Sequence, residues 1–320
     1  TYCLPFYLLT DIKAAKDLLL FRYNTLNKAK ERAKRLDCSG ACYPIATLNG
    51  EEGCNLWQHA SLQFQPSTGV CYAIFHYYNL TKDSEFIKNY GLEILLEVSH
   101  FLLDRGQYDQ EGKKFGYYAV RGPDEFKRMV NNNAYTNYRA KKTFEFTLEM
   151  FEKYGSDSLL EKCQVNKEFL SRIKKAAQDR YIPYDEKTKL FEQNDGFFSL
   201  PHIDIDSIPN TDFPLYSHWS YDRIYRYDRI KQPDVLRFRF LYSHCFTKEQ
   251  KEQNYDYYEP RCIHESSLSP SIHSIFATEL GKKEAASRFF SYATRLDLDD
   301  YNRNTLEGIH RTSLAASFRN

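Results

Sequence analysis

The chain has 320 residues, enough to bury a sizeable core as one large domain or two small ones. Its net charge is +1, with 44 basic and 43 acidic residues spread along the whole length, which argues against nucleic acid or an anionic membrane as the main partner. No apolar run approaches the roughly 18 residues that span a bilayer, no signal-peptide pattern opens the chain, and the eight cysteines follow neither a disulfide-framework nor a zinc-ribbon spacing, so reduced thiols in a cytoplasmic protein are expected.

In chain order the pattern is helix after helix. From Asp11 the apolar positions Ala14, Ala15, Leu18, Leu19 and Tyr23 keep helical spacing, and Leu26, Ala29, Ala33 and Leu36 repeat it up to a break at Asp37 to Gly40. A longer helix is expected from Ser84 to Arg105, capped by Asp83, ended by Gly106, and buried through Ile87, Tyr90, Ile94, Val98, Phe101 and Leu102. Phe115 to Val120 is the one strand-like stretch, half of a small hairpin. Another helix spans Ala134 to Tyr154, with Ala140, Phe144, Leu148 and Phe151 on one face. Further helices are expected near 167–180, 234–244, 248–258, 270–280, 283–294 and 305–318. Segment 182–230 reads as a long ordered loop with short turns. No fixed-period repeat appears, which favours helix hairpins around a centre over a solenoid.

Four constellations carry candidate chemistry. GPDEF (Gly122 to Phe126), followed by NNNAYTN (Asn131 to Asn137), sets two carboxylates on a turn beside an aromatic ring. A carboxylic acid in such a place can hold its proton and act as a general acid, although a solvated turn with an Asn-rich cap has the same spelling. KQPDV (Lys231 to Val235) offers donors suited to a polyhydroxylated ligand, or ordinary helix-start chemistry. YYEPR (Tyr257 to Arg261) leads into HESSLSP (His264 to Pro270), whose hydroxyls precede a helix and suit either an anion or an N-cap. RLDLDDYNRNTLEGIHRTS (Arg295 to Ser313) brings His310, Thr312 and Ser313 close together; its acids lack EF-hand spacing, and no metal site is expected. Aromatic residues make up 16% of the chain, with Tyr 26 and Phe 23; they fit sugar stacking or simply a core of large side chains.

Taken in order, LPFYLLT, FRYNTLNKA, GACYP, DSEFIKNYGLEILLE, GPDEF, NNNAYTN, IKQPDV, YYEPR, HESSLSPSIHSI, RLDLDDYN and EGIH resemble the glycoside-hydrolase family that contains maltose, trehalose and kojibiose phosphorylases. The resemblance covers essentially the whole chain. It implies an all-α (α/α)6 barrel, incomplete at both ends, with residues 1–320 forming a partial catalytic domain and the family's flanking β domains absent. It implies inverting phosphorolysis of an α-glucoside such as maltose, kojibiose or trehalose to β-glucose 1-phosphate, with inorganic phosphate as co-substrate and no other cofactor. Glu125 matches the general acid, Lys231 and Gln232 the residues that hold the transferred glucosyl unit, and Glu259 a position near the acceptor sugar. Ser266, Ser267 and His310, with Ser313, fit the phosphate pocket, and His264 is assigned a supporting role in the loop. The full-length protein is expected to be a homodimer.

Two departures stand out. Phe126 replaces a common tyrosine, and Ile45-Ala46-Thr47 stand where many relatives have a tryptophan, which leaves the acceptor open. The competing readings are an inverting α-glucoside hydrolase of the acid-trehalase kind and a non-catalytic sugar-binding fragment. Relatives carry a Trp-Asp-Thr-Glu element just before the position of Thr1 and a glycine-rich segment after the last helix. The isolated chain is therefore expected to be unstable or inactive, although its longer parent is active.

Overall fold

The computed structural model describes residues 2–318. Thr1, Arg319 and Asn320, part of the expected 1–320 domain, lie outside the described residues. The chain divides into two compact units: Tyr7–Arg121 with Met129–Ile182, and Thr1–Phe6 with Gly122–Arg128 and Pro183–Asn320. In both, helices are the main regular structure.

In the first unit, helices Ile12–Asn24, Leu26–Arg35, Gln65–Thr81, Ala134–Tyr154 and Lys167–Gln178 all have a side that packs on a neighbour, and Leu92–Arg105 touches four of them. The apolar spacing explains that position: Ile94, Leu95, Leu96, Val98, Phe101 and Leu102 are all fully buried, each stabilising the fold by about 1.5–3 kcal/mol relative to exposure. The helix starts are closed by short polar side chains. Asp11, Asp83, Asn133 and Asn166 accept from the backbone N–H three residues on, satisfying donors that have no partner inside the helix. Gly106 does end its helix, but for a steric reason: a Cβ there would lie 2.2 Å from the Phe115 ring.

Several elements differ from the sequence reading. Gln65–Thr81 is a helix that amphipathic spacing does not announce, because Ser67, Thr68, Val70, Cys71, Tyr72, Ile74, Tyr77 and Tyr78 are buried around its circumference. Ile87–Gly91 forms a π-helical turn inside the expected 84–105 helix. Of the expected strand, Phe115–Gly116 pairs with Gln107–Tyr108, and Val120 forms an isolated antiparallel bridge with Val130.

In the second unit, Asp234–Leu241, Lys248–Tyr258, Ser269–Leu280 and Lys283–Arg295 are helical close to the expected ranges. Ser269–Leu280 and Lys283–Arg295 pack on each other across Gly281, which takes the left-handed backbone (φ +78°) suited to a helix end. The expected 305–318 helix starts only at Arg311. Ahead of it, Asp300 accepts from the Thr305 N–H and Asp297 from the His310 N–H, so side chains take the donors that a helix would use. Segment 182–230 contains a second short ribbon, Tyr184–Asp185 with Leu190–Phe191. The rest of it is an ordered loop with short turns, as expected, and it is packed: Ile208, Leu215, Trp219 and Ile224 form a buried cluster with Phe126 and Ile263. Among the described residues, no helix is long and apolar enough to cross a membrane.

Candidate active site

The candidate site is built from three short segments of the second unit, each of which the sequence had singled out. GPDEF is tied to KQPDV through the carboxylate of Asp124, which is fully buried. Its Oδ1 accepts from the backbone N–H groups of Phe126 (3.1 Å), Lys231 (2.8 Å) and Gln232 (3.4 Å), and its Oδ2 accepts from Nε2 of Gln193 (2.8 Å). Burial pushes the Asp124 carboxyl up from its ordinary value, opposed by nearby Lys127 and by these N–H donors. KQPDV is tied in turn to the segment after YYEPR: Ile230 donates to the Arg261 carbonyl at 3.1 Å, and Ile263 donates back to the Ile230 carbonyl at 3.0 Å.

This stitching aims the side chains. The Glu125 N–H donates to Oε1 of Gln232 (2.9 Å), and Nζ of Lys231 donates to Oε2 of Glu125 (2.6 Å). The Glu125 side chain keeps 36% exposure and that of Lys231 15%, so the carboxyl stays within reach of a ligand. Phe126, on the other side of the turn, is completely buried in the aromatic and aliphatic cluster, where a tyrosine hydroxyl would need a partner of its own. Nζ of Lys231 also lies 4.5 Å from the centre of the Tyr216 ring, a favourable place for a cation.

The serines stand just ahead of the helix Ser269–Leu280. Ser266 is buried and its Oγ accepts from the Leu268 N–H at 3.3 Å. Ser267 is half-buried, and its hydroxyl has no hydrogen-bond partner among the described residues. His310 is fixed by Asp297, which accepts from Nδ1 at 2.6 Å, leaving Nε2 as the outward nitrogen beside Asn304 (3.5 Å). No hydrogen bond joins His310 to the serines among the described residues. Ser313 departs from the expected pattern. It is buried, and its Oγ donates to the Ala293 carbonyl at 3.3 Å, which makes it a contact between helices. Glu259 is also apart from the Glu125–Lys231 pair: it binds Arg288 at 2.8 Å and lines another cavity, of about 550 Å³, with His202, Arg229 and Arg288.

Three residues at the centre carry roles that motif reading gave to their neighbours. Asp124 was one of two acids on a turn, Gln193 lay in a presumed loop, and Glu265 was one letter of the serine motif. Glu265 lines a cavity of about 210 Å³ with Tyr216, His264, Tyr292 and Asn302. Its Oε1 accepts from the Leu215 N–H, and its Oε2 is buried without a hydrogen-bond partner among the described residues. Burial pushes this carboxyl up to about 7, against the pull of the Leu215 N–H and of Lys231. The sequence signal was the acid flanked by an ionisable ring and two serines; its burial depended on residues 213–216, some fifty positions earlier.

A family model described as "Glycosyl hydrolase family 65 central catalytic domain" matches residues 1–319. The α,α-trehalose phosphorylase of Thermoanaerobacter brockii is 41% identical over 99% of this chain and 42% of its own length. The maltose phosphorylase of Bacillus subtilis is 38% identical over 99% of this chain and 42% of its own. A solved human-microbiome protein, provisionally named kojibiose phosphorylase, is 60% identical over 99% of this chain and 42% of its own, with a TM-score of 0.96. The chain thus spans less than half the length of these relatives. Together with the helical architecture, that structural likeness establishes the (α/α)6 barrel class.

Two outcomes follow from the site's geometry. Asp124→Asn puts an amide N–H₂ among donors, so it should lower unfolding stability by about 1–3 kcal/mol, read from denaturant titration, and lower turnover with it. Glu265 has a native pKa of about 7 against an ordinary 4.5, so the folded state holds the extra proton between those values. The sign is therefore a stability that falls as pH rises from about 4.5 to about 7. Glu265→Gln should flatten that slope, measured as Tm against pH.

Proposed function

Since the chain belongs to glycosyl hydrolase family 65 and matches its central catalytic domain, we propose that it is the catalytic part of a disaccharide phosphorylase, with residues 1–320 as one helical-barrel domain. The reaction is inverting phosphorolysis of an α-glucoside to β-glucose 1-phosphate. Glu125 gives its proton to the glycosidic oxygen as the bond from C1 breaks. A phosphate oxygen attacks C1 from the opposite face and forms the new bond, so the anomeric configuration inverts. Lys231 and Gln232 hold the glucosyl hydroxyls. Ser266 and Ser267, at a helix N-terminus, with the Asp297-oriented ring of His310, receive the phosphate.

The observation that carries this reading is the Glu125–Lys231–Gln232 cluster, held at 2.6 and 2.9 Å by a buried carboxylate. It sets a carboxyl group beside fixed donors of the kind a sugar needs. Ligand hydroxyls that draw Lys231 away would leave the Glu125 carboxyl facing the glycosidic oxygen. The free Ser267 hydroxyl fits an anion that replaces the water of a hydrolase. Kojibiose is the first substrate to test, because the most identical of the relatives described above carries that name. Glu259 is assigned to the acceptor side, and the complete protein to the cytoplasm as a homodimer.

One observation favours a second reading. Glu265 is a second carboxylate in the electrostatic field of Lys231, and an inverting hydrolase uses a second carboxylate to activate water. Glucoside cleavage with and without phosphate separates the two: phosphorolysis stops without phosphate and yields glucose 1-phosphate, whereas hydrolysis continues and yields free glucose.

Glu125→Gln should lower turnover of unactivated glucosides by roughly 10²–10⁴-fold, and near-normal activity in that variant rejects the assignment. Ser267→Ala should raise KM for phosphate more than KM for the glucoside; equal effects on both would remove the serine from the phosphate site.

A further inference from the structure

One cluster beside the proposed sugar and phosphate sites carries no step of that chemistry. Cys262, His264 and His273 converge in the second unit, with one potential ligand atom from each lying within 4.8 Å of the others. Cys262 caps the short turn Glu259–Arg261 that closes YYEPR, His264 opens the serine motif, and His273 sits in the middle of the helix Ser269–Leu280.

We propose that Cys262, His264 and His273 form a binding site for one zinc ion. The ligand set, one thiolate and two imidazoles, is among the combinations zinc prefers. The site leaves the fourth tetrahedral position to water from the cavity of about 550 Å³ that Cys262 and His264 line. Zinc bonds of about 2.0–2.3 Å set tetrahedral ligands about 3.3–3.8 Å apart, so modest side-chain rotation closes the cluster onto the ion.

Each residue is arranged for the role. The Ser269 carbonyl lies 2.9 Å from Nδ1 of His273, which fixes the proton on that nitrogen and leaves Nε2 with a bare lone pair. That Nε2 is buried with no hydrogen-bond partner among the described residues, in a side chain with 0% exposure. A buried acceptor left unpaired is costly in a packed protein, and an ion would satisfy it. His264 takes a left-handed backbone (φ +55°) that a non-glycine residue rarely adopts, and its ring meets that of His273 at 4.5 Å. Phe289 packs on both rings, 4.7 and 5.1 Å between centres, so the site has an apolar wall. Burial pushes both histidines below their ordinary range, His273 to about 4, so both are already neutral ligands near pH 7. Burial also pushes the Cys262 thiol up to about 12. That proton leaves only when the metal takes the sulfur lone pair, and it passes to solvent as the Zn–S bond forms. Arg288 opposes the incoming cation, and Glu259 neutralises it through their 2.8 Å ion pair.

Occupancy would tie the helix Ser269–Leu280 to the segment that hydrogen-bonds Ile230, next to Lys231. The spacing of the three ligands matches no zinc-ribbon pattern, which is why the sequence raised no such expectation.

The test is metal content and spectroscopy on the purified protein. After exposure to zinc chloride and gel filtration, elemental analysis should find one zinc per chain. Cobalt substituted for zinc should give a thiolate-to-cobalt charge-transfer band. Cys262→Ser should abolish the band, and His273→Gln should weaken zinc binding at least about tenfold. Circular dichroism on both variants checks that they fold. If His273→Gln does not fold, the conservative Cys262→Ser variant decides. No retained zinc in the unaltered protein overturns the proposal, as does zinc that Cys262→Ser holds equally well.

Discussion

The buried carboxylate of Asp124 is the constraint on which the candidate site depends. Four N–H donors from three separate segments meet on its two oxygens. A carboxylate taken fully out of water is unfavourable unless its lone pairs are used, and here every hydrogen-bond partner among the described residues is a donor. One donor, on Phe126, holds the turn that presents Glu125. Two others, on Lys231 and Gln232, fix the segment that reaches back to Glu125. The fourth comes from Gln193, buried in the stretch that follows the second ribbon. The carboxyl and its cationic partner are therefore set by backbone atoms, and the long side chains of Lys231 and Glu125 have little freedom left to lose when a ligand arrives.

Around that anchor the unit sorts its ionisable groups by environment. Glu125 and Lys231 keep some exposure and pair with each other. Glu265, enclosed beside Leu215 and Tyr216, is pushed towards neutrality. His264 and His273 lie deeper, among Phe289 and Tyr255, and burial keeps them uncharged. A family of groups so close in sequence differs in charge state because each meets a different dielectric and a different set of donors. The same wall that buries Phe126 also supports Ile263, so the acid-bearing turn and the start of the serine motif share one apolar foundation.

Local sequence was a good guide where apolar residues recur at helical spacing. The spacing of Ile94, Val98, Phe101 and Leu102 marked buried positions that the structure retains, and Asp83 marked a helix start by its capping chemistry. It was a poorer guide elsewhere. Gln65–Thr81 is enclosed on most faces, so its residues carry no helical period. On Ala134–Tyr154 the buried arc is wider than the expected face: Ala140 and Phe144 are buried as expected, but so are Thr143, Phe146, Thr147 and Met150, while Leu148 and Phe151 are only partly so. Neighbouring helices decide which of several apolar arcs turns inward, and no window along one helix contains that information.

The sequence by itself determined the residue types: an acid on a rigid turn, a lysine and glutamine before a helix, and serines at a helix N-terminus. It also carried the ordered motifs by which the family is recognised. Tertiary structure decided which of these groups meet. The Asp124 anchor joins positions more than a hundred residues apart, as the bonds to Lys231 and Gln232 record. It also decided that Ser313 serves a helix contact, that Glu265 is enclosed, and that Cys262 and two histidines converge. Proximity, burial and desolvation arise only when distant segments pack, whereas capping and periodicity act within a few residues of one another.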